Sequence, residues 1–229
     1  VDPTPMVGMV GLLDDAAKYV TQAFKASGQV IALLGLNAGS LAGSEYLYRI
    51  HKQKKGDPTI DIAFEKAVQA ACLEAIRTGL VKSAHDVSEG GLAVCLSESC
   101  ISDRNAMLGA TLDIDPLVKA DLRLDEILFG EGPSRIVVSV DPADFEKLEK
   151  CAAKHRAPCY RLGVAGGDHL TIKRNGDDII DLPVAKLNSA WRDSIPAKTG
   201  LPNDGAGADG ENMRRMYDDI QEYINKHWD

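Results

Sequence analysis

The stretch QVIALLGL, Gln29 to Leu36, constrains this chain most. It is a continuous apolar run ending in glycine, with none of the alternation that marks a half-exposed strand. A run of this kind reads as a strand buried on both faces, which requires helices packed against its sheet. SRIVVSV, from Ser134 to Val140, is a second strong strand, rich in β-branched residues.

The clearest helix follows in DIAFEKAVQAACLEAIRTG, Asp61 to Gly79. Phe64, Val68, Ala71, Cys72, Ala75 and Ile76 recur at three and four residues and form one apolar stripe. Asp61 is placed to cap the helix start, and Gly79 stands where a C′ residue belongs. VKSAHDVS reads as a strand, LAVCLSESCIS as a helix, GATLDI as a strand and LRLDEILFG as a short helix. PADFEKLEKCAAKH is a helix opening on proline, and CYRLGVA and HLTIKRNG are strands. The Asn-Gly of RNGDD makes a hairpin turn before IIDLPV. At the front, PTPMVGMVGLLDD reads as an extended lead-in because proline forces extended backbone on its predecessor. A short helix is expected over 14–24. Strands alternating with helices, and a terminal hairpin, give a mixed α/β sandwich.

Composition narrows the function classes. The chain has 229 residues, 45% of them hydrophobic, and a net charge of −8. That balance lacks the clustered Lys and Arg that a phosphate backbone or an anionic lipid surface requires, so neither nucleic acid nor membrane is an expected partner. No apolar run reaches membrane-spanning length. Five cysteines, at 72, 95, 100, 151 and 159, form no CxxC pair, and a reduced, cytoplasmic setting fits them better than a disulfide framework. The opening VDPTPMVG lacks an initiator Met and reads as an excised piece of a longer protein.

Three junctions between regular elements carry the chemistry-bearing residues. The first is His85-Asp86-Val87-Ser88-Glu89-Gly90-Gly91. A helix start attracts anions, and glycines let a ligand approach closely. Asp86 and Glu89 would repel a bare phosphate, so the functional reading needs a divalent cation such as Mg²⁺ between them. The alternative is that Ser88 or Glu89 simply caps the helix. The second junction, Gly39 to Tyr46, joins small residues to a helix-like start and is either a phosphate-cradling loop or a plain connection. In the third, Phe129 to Arg135, Glu131 and Arg135 either clamp a ligand or pair with each other. If the fold brings the three together, they form one shared site.

PTPMVGMVGLLDD, LLGLNAGSLAGSEYL, KSAHDVSEGGLAVCLSE and LFGEGPSRIVVSV together resemble, in order and spacing, the last domain of the synthetase subunit of phosphoribosylformylglycinamidine synthases. The resemblance covers about residues 1–191. It implies a three-layer α/β/α sandwich with a mixed sheet and ferredoxin-like connectivity, similar to the C-terminal domain of aminoimidazole ribonucleotide synthetases. It implies an ATP-dependent carbon–nitrogen ligase of purine biosynthesis that turns formylglycinamide ribonucleotide into its amidine with ammonia from glutamine. The partners implied are the other domains of the same subunit, a glutaminase subunit or domain, and a small bridging subunit.

By that resemblance the catalytic histidine lies in absent domains, and no residue of this chain is expected to be catalytic. ATP or ADP contacts are carried over to Gly43, Ser44, Ser88, Gly90, Gly91, Ser134 and Arg135, and Mg²⁺ contacts to Asp86, Glu89 and Glu131. A related domain of the family has Glu-Ser-Gln where this chain has Glu131-Gly132-Pro133, and Ala42 stands where glycine is commoner. An alternative is a non-catalytic, pseudo-symmetric scaffold holding a structural Mg–nucleotide, or another member of the superfamily; the lead-in and the GSEYL loop argue against the last. The expected organisation is a connector over 1–28, the domain over 29–197, a flexible linker over 198–212, and an amphipathic helix over 213–229. That helix docks either on its own domain or on a partner.

Overall fold

The computed structural model describes residues 7–13, 15–119 and 122–199. Among them a seven-stranded sheet runs in the order β2-β4-β1-β5-β3-β6-β7. The strands are β1 (Val30–Gly35), β2 (Val81–Asp86), β3 (Ala110–Asp113), β4 (Arg135–Val140), β5 (Cys159–Ala165), β6 (His169–Arg174) and β7 (Asp177–Pro183). Every pairing is antiparallel except β3 with β6.

The apolar run of β1 takes the central place its composition demands. Ile31 and Leu33 enter a core cluster on one face, and Val30, Ala32 and Leu34 enter a second cluster on the other. All five are at most 1% exposed. Burying each of the larger side chains stabilises the fold by roughly 2 kcal/mol.

One helical layer holds α2 (Ile62–Arg77) and α5 (Phe145–Lys154), which bury Val68, Ala71, Ala75, Leu148 and Ala152. The other holds α3 (Gly91–Ile101), α4 (Leu124–Phe129) and α6 (Val184–Arg192), with Leu92, Leu96, Ile127, Leu128 and Val184 inward. The units β1-α2-β2 and β4-α5-β5 give the neighbour order β2-β4-β1-β5, which is ferredoxin-like connectivity. The segment α3-β3-α4 is inserted between the two units. The expected three-layer sandwich with a mixed sheet is what the chain forms.

Local signals account for the element ends. Asp61 Oδ1 accepts the N–H groups of Ala63 and Phe64 at the start of α2. At its end Gly79 N–H reaches Ile76 O and Leu80 N–H reaches Ala75 O, the paired bonds of a Schellman close. Asn175 and Gly176, at φ 53° and 83°, make the turn between β6 and β7.

Two expectations fail. Residues 15–24 form turns and bends instead of a helix, because Thr21 forms a parallel bridge with Ser83 on the edge of β2 and Asp15 turns the chain at Ala17. Residues Val184–Arg192 and Ser194–Thr199 are helical (α6 and α7) where no helix was expected, the second overlapping the start of the expected linker. The rest of that linker and the terminal helix lie outside the described residues.

Candidate functional site

The three junctions meet. Glu131, half-buried in the loop after α4, sends its Oε1 to two backbone N–H groups at once. One is Glu45 N–H at 2.8 Å, at the start of α1 (Glu45–His51); the other is Gly90 N–H at 2.8 Å, at the N-cap of α3. Two helix starts therefore share one carboxylate oxygen, placed where each helix carries partial positive charge. Glu131 N–H in turn reaches Ser40 O at 2.9 Å.

Close backbone approach makes this clasp possible. A Cβ on Gly39 would lie 2.6 Å from Gly130 C and Gly132 N, and one on Gly91, at φ +70°, would lie 2.6–2.7 Å from the Phe129 backbone. Tyr46 of α1 stacks on Phe129 with ring centroids 5.0 Å apart. Of the two glycines read as close-approach positions, Gly91 faces the Phe129 backbone and Gly90 faces the Val94 side chain.

The remaining candidates divide by direction. Ser44 is buried; its Oγ accepts Leu47 N–H as the N-cap of α1 and donates to Leu41 O. Ser134, buried at φ 64°, donates from Oγ to Glu65 Oε2 at 2.6 Å. Arg135 is 1% exposed, and its guanidinium donates to Gly130 O and Ile127 O, the carbonyl end of α4. Burial pushes its pKa down to about 10, so it stays charged at neutral pH, and its Nε has no partner. Glu131 and Arg135 do not pair across the turn; each serves backbone groups instead.

Gly43, Asp86, Ser88 and Glu89 are exposed, and neither Ser88 nor Glu89 caps α3. Asp86, Glu89 and Glu131 do not converge into one donor set: among the described residues the one group of three that could hold a metal is Glu74, Cys151 and His155.

His85 belongs to a network that sequence reasoning missed. Its Nε2 lies 2.7 Å from Glu98 Oε2, and its Nδ1 lies 3.5 Å from Asp86 Oδ1. Burial pushes its pKa down, but the hydrogen bond and charge of Glu98, with Asp86 behind, more than offset this, and the pKa is raised. The signal was present: Glu98 lies two helical turns after Gly91, where a helix folded back over its strand returns toward His85. Asp86 opens onto a cavity of about 660 Å³, whose polar lining includes Gln22, Lys25, His85, Ser102 and Arg104. Burial raises the Cys72 thiol pKa to about 11 and those of Cys100 and Cys159 to about 12, and pushes Cys95 and Cys151 up as well. None is poised as a thiolate nucleophile.

Fold and clasp together define a three-layer sandwich domain on a ferredoxin-like core, with the starts of α1 and α3 joined by a shared carboxylate. The family model described as AIR synthase related protein, C-terminal domain, matches residues 26–174, and the chain belongs to that family. It is 44% identical over 203 residues to phosphoribosylformylglycinamidine synthase subunit PurL of an Anaeromyxobacter species, covering 85% of this chain and 25% of the relative. To the PurL of a Thermoanaerobacter species it is 41% identical over 194 residues, covering 84% and 26%. The chain thus spans about a quarter of the length of these relatives.

Among solved structures, Thermotoga maritima PurL complexed with FGAR matches at TM-score 0.66 and 25% identity, covering 76% of this chain and 30% of that one. The same organism's PurL complexed with ATP matches at 0.59 and 26%, covering 76% and 28%. A HypE-HypF complex, at TM-score 0.50 and 17% identity, shares the fold alone. Among the described residues no helix is long and apolar enough to cross a membrane.

Proposed function

We propose that this chain is the C-terminal domain of a PurL-type synthetase subunit. The subunit would convert formylglycinamide ribonucleotide to its amidine, using ATP, Mg²⁺ and ammonia released from glutamine, in the cytoplasm. The observation that carries the reading is 44% identity over 85% of this chain to a protein four times its matched share. The ATP and FGAR complexes of the Thermotoga neighbours support the substrate class, and the structure of PurLQS from that organism supports a multi-subunit assembly, whose further members in this reading are a glutaminase and a small bridging subunit.

In this reading the domain is a supporting module, inactive alone. Glu131, Ser44, Ser134 and Arg135 hold the junctions by bonds to the chain itself. Gly90 donates its N–H to Glu131, and Gly91 gives the clasp its close approach to Phe129. Asp86 and Glu89, both exposed, are the carboxylates left to meet a cation, with Ser88 and Gly43 beside the two helix starts. Glu131 has its Oε1 taken by two N–H groups, which leaves its second oxygen alone to reach a cation. ATP would activate the amide oxygen as a phosphate leaving group, and the chemistry of that step belongs to the other domains.

An ammonia-dependent assay tests this. The chain alone gives no amidine, and the chain joined to the upstream three-quarters of a PurL relative does. Turnover by the chain alone, or a folded but inactive hybrid, overturns the proposal. The inward-facing clasp favours a second reading, a pseudo-symmetric scaffold with a structural Mg–nucleotide. Calorimetry with ADP and Mg²⁺ separates it: binding heat that falls in Asp86→Ala supports a nucleotide site, and no heat removes it.

A further inference from the structure

The helical layer of α2 and α5, on the sheet face away from α3 and α4, carries a second cluster. Glu74 lies in the last turn of α2. Cys151 and His155 stand one turn apart at the end of α5 and project from the same side of that helix. His155 Nε2 is 2.7 Å from Glu74 Oε2, and Cys151 Sγ, a His155 ring nitrogen and a Glu74 oxygen all lie within 4.8 Å of one another. Cys151 is 7% exposed, whereas Glu74 and His155 are half-buried.

Two observations show that this spot draws positive charge. Both helices end here, and the last carbonyls of a helix carry partial negative charge. Lys154 also places its ammonium 2.9 and 2.7 Å from the two Glu74 oxygens. With His155, it holds the Glu74 carboxyl below its ordinary pKa.

We propose that Glu74, Cys151 and His155 form a binding site for a divalent transition-metal ion of the zinc type, its fourth position open to water or a small ligand. The donors decide the class. Thiolate and imidazole suit zinc and its neighbours, whereas Mg²⁺ and Ca²⁺ take oxygen donors. A tetrahedral ion with metal–sulfur bonds of about 2.3 Å and metal–nitrogen and metal–oxygen bonds of about 2.0–2.2 Å holds its ligand atoms roughly 3.3–3.7 Å apart. His155 and Glu74 must therefore separate by about half an ångström, while Cys151 draws in. Side-chain rotation supplies both movements. The Lys154 side chain, 64% exposed, swings to solvent as the ion replaces it. Binding releases the Cys151 thiol proton and leaves the His155 ring proton on the nitrogen away from the ion, so affinity rises with pH.

The test is a Co²⁺ titration of the full chain followed by absorption. Expected are one equivalent bound with d–d bands and a thiolate-to-cobalt charge-transfer band, all removed by Zn²⁺. Cys151→Ala and His155→Ala each weaken binding by at least about tenfold, with far-UV circular dichroism and urea midpoints confirming that both variants fold. Lys154→Ala tightens binding by removing the competing ammonium. Absence of cobalt bands at metal excess, or a thiolate band that survives Cys151→Ala, overturns the proposal; weaker binding in Lys154→Ala does so as well.

Discussion

Replacing Glu131 probes the feature that ties the junctions together. Its Oε1 accepts Glu45 N–H and Gly90 N–H, each at 2.8 Å. A hydrogen bond to a charged group is worth about 1.5–3 kcal/mol and a neutral one about 0.5–1.5. Because Glu131 is half-buried, solvent screening argues for the low end of both ranges. Glu131→Ala loses both bonds and costs about 3 kcal/mol; Glu131→Gln keeps an acceptor, loses the charge, and costs about 1–2 kcal/mol. Urea unfolding reads both as shifts in midpoint at constant slope. Hydrogen exchange supplies the sharper check: in Glu131→Ala the amides of Glu45 and Gly90 lose protection together, while those of α5 do not. An alanine variant within about 0.5 kcal/mol of the parent, or one in which a single amide loosens, refutes the shared clasp.

Three further outcomes follow from the same geometry. Gly91→Ala forces a side chain into φ +70° and against the Phe129 backbone at 2.6–2.7 Å, costing about 3 kcal/mol or more in a urea titration. Arg135→Leu leaves Gly130 O and Ile127 O without their buried donor, and costs about 2–3 kcal/mol by the same measurement. For His85 the folded-state pKa is raised, so the stability its ion pairing adds is whole below the unfolded value of about 6.5 and is lost as pH climbs through the raised value. The gap in unfolding free energy between the parent and His85→Gln therefore narrows from acid to alkaline pH; a gap that widens refutes the pairing with Glu98.

How much of this was legible in the sequence depends on the range of the interaction. The β1 strand and the α2 helix were readable because apolar period and cap lie within one element: Ile31 and Leu33, Asp61 and Gly79 declare themselves locally. That the junctions meet was legible only as a condition, since Glu45, Gly90 and Glu131 become neighbours through the sheet order. Direction was not legible at all. Arg135 looks like a ligand clamp in FGEGPSR, yet it serves the carbonyl end of α4, and Ser134 finds Glu65 across 69 residues. The helix expected over 14–24 failed because a strand edge competed for the same backbone, and α6 was missed because its inward residues, Val184 and Leu187, make only a short stripe.

The outline drawn by ancestry and the outline drawn by mechanics differ. The family match opens at residue 26 and stops at 174. Phe24, 2% exposed, is plugged into the core before that start with its N–H on Ser99 O, and Val184, 4% exposed, seals the core after that end. A chain trimmed to the recognised segment would carry an open socket the size of a phenyl ring, and a β2 rim stripped of its Thr21 contact, ready to pair with the wrong neighbour. The segment ahead of residue 26 is thus a keystone of the domain, filling its core with Phe24 and covering the β2 rim through Thr21.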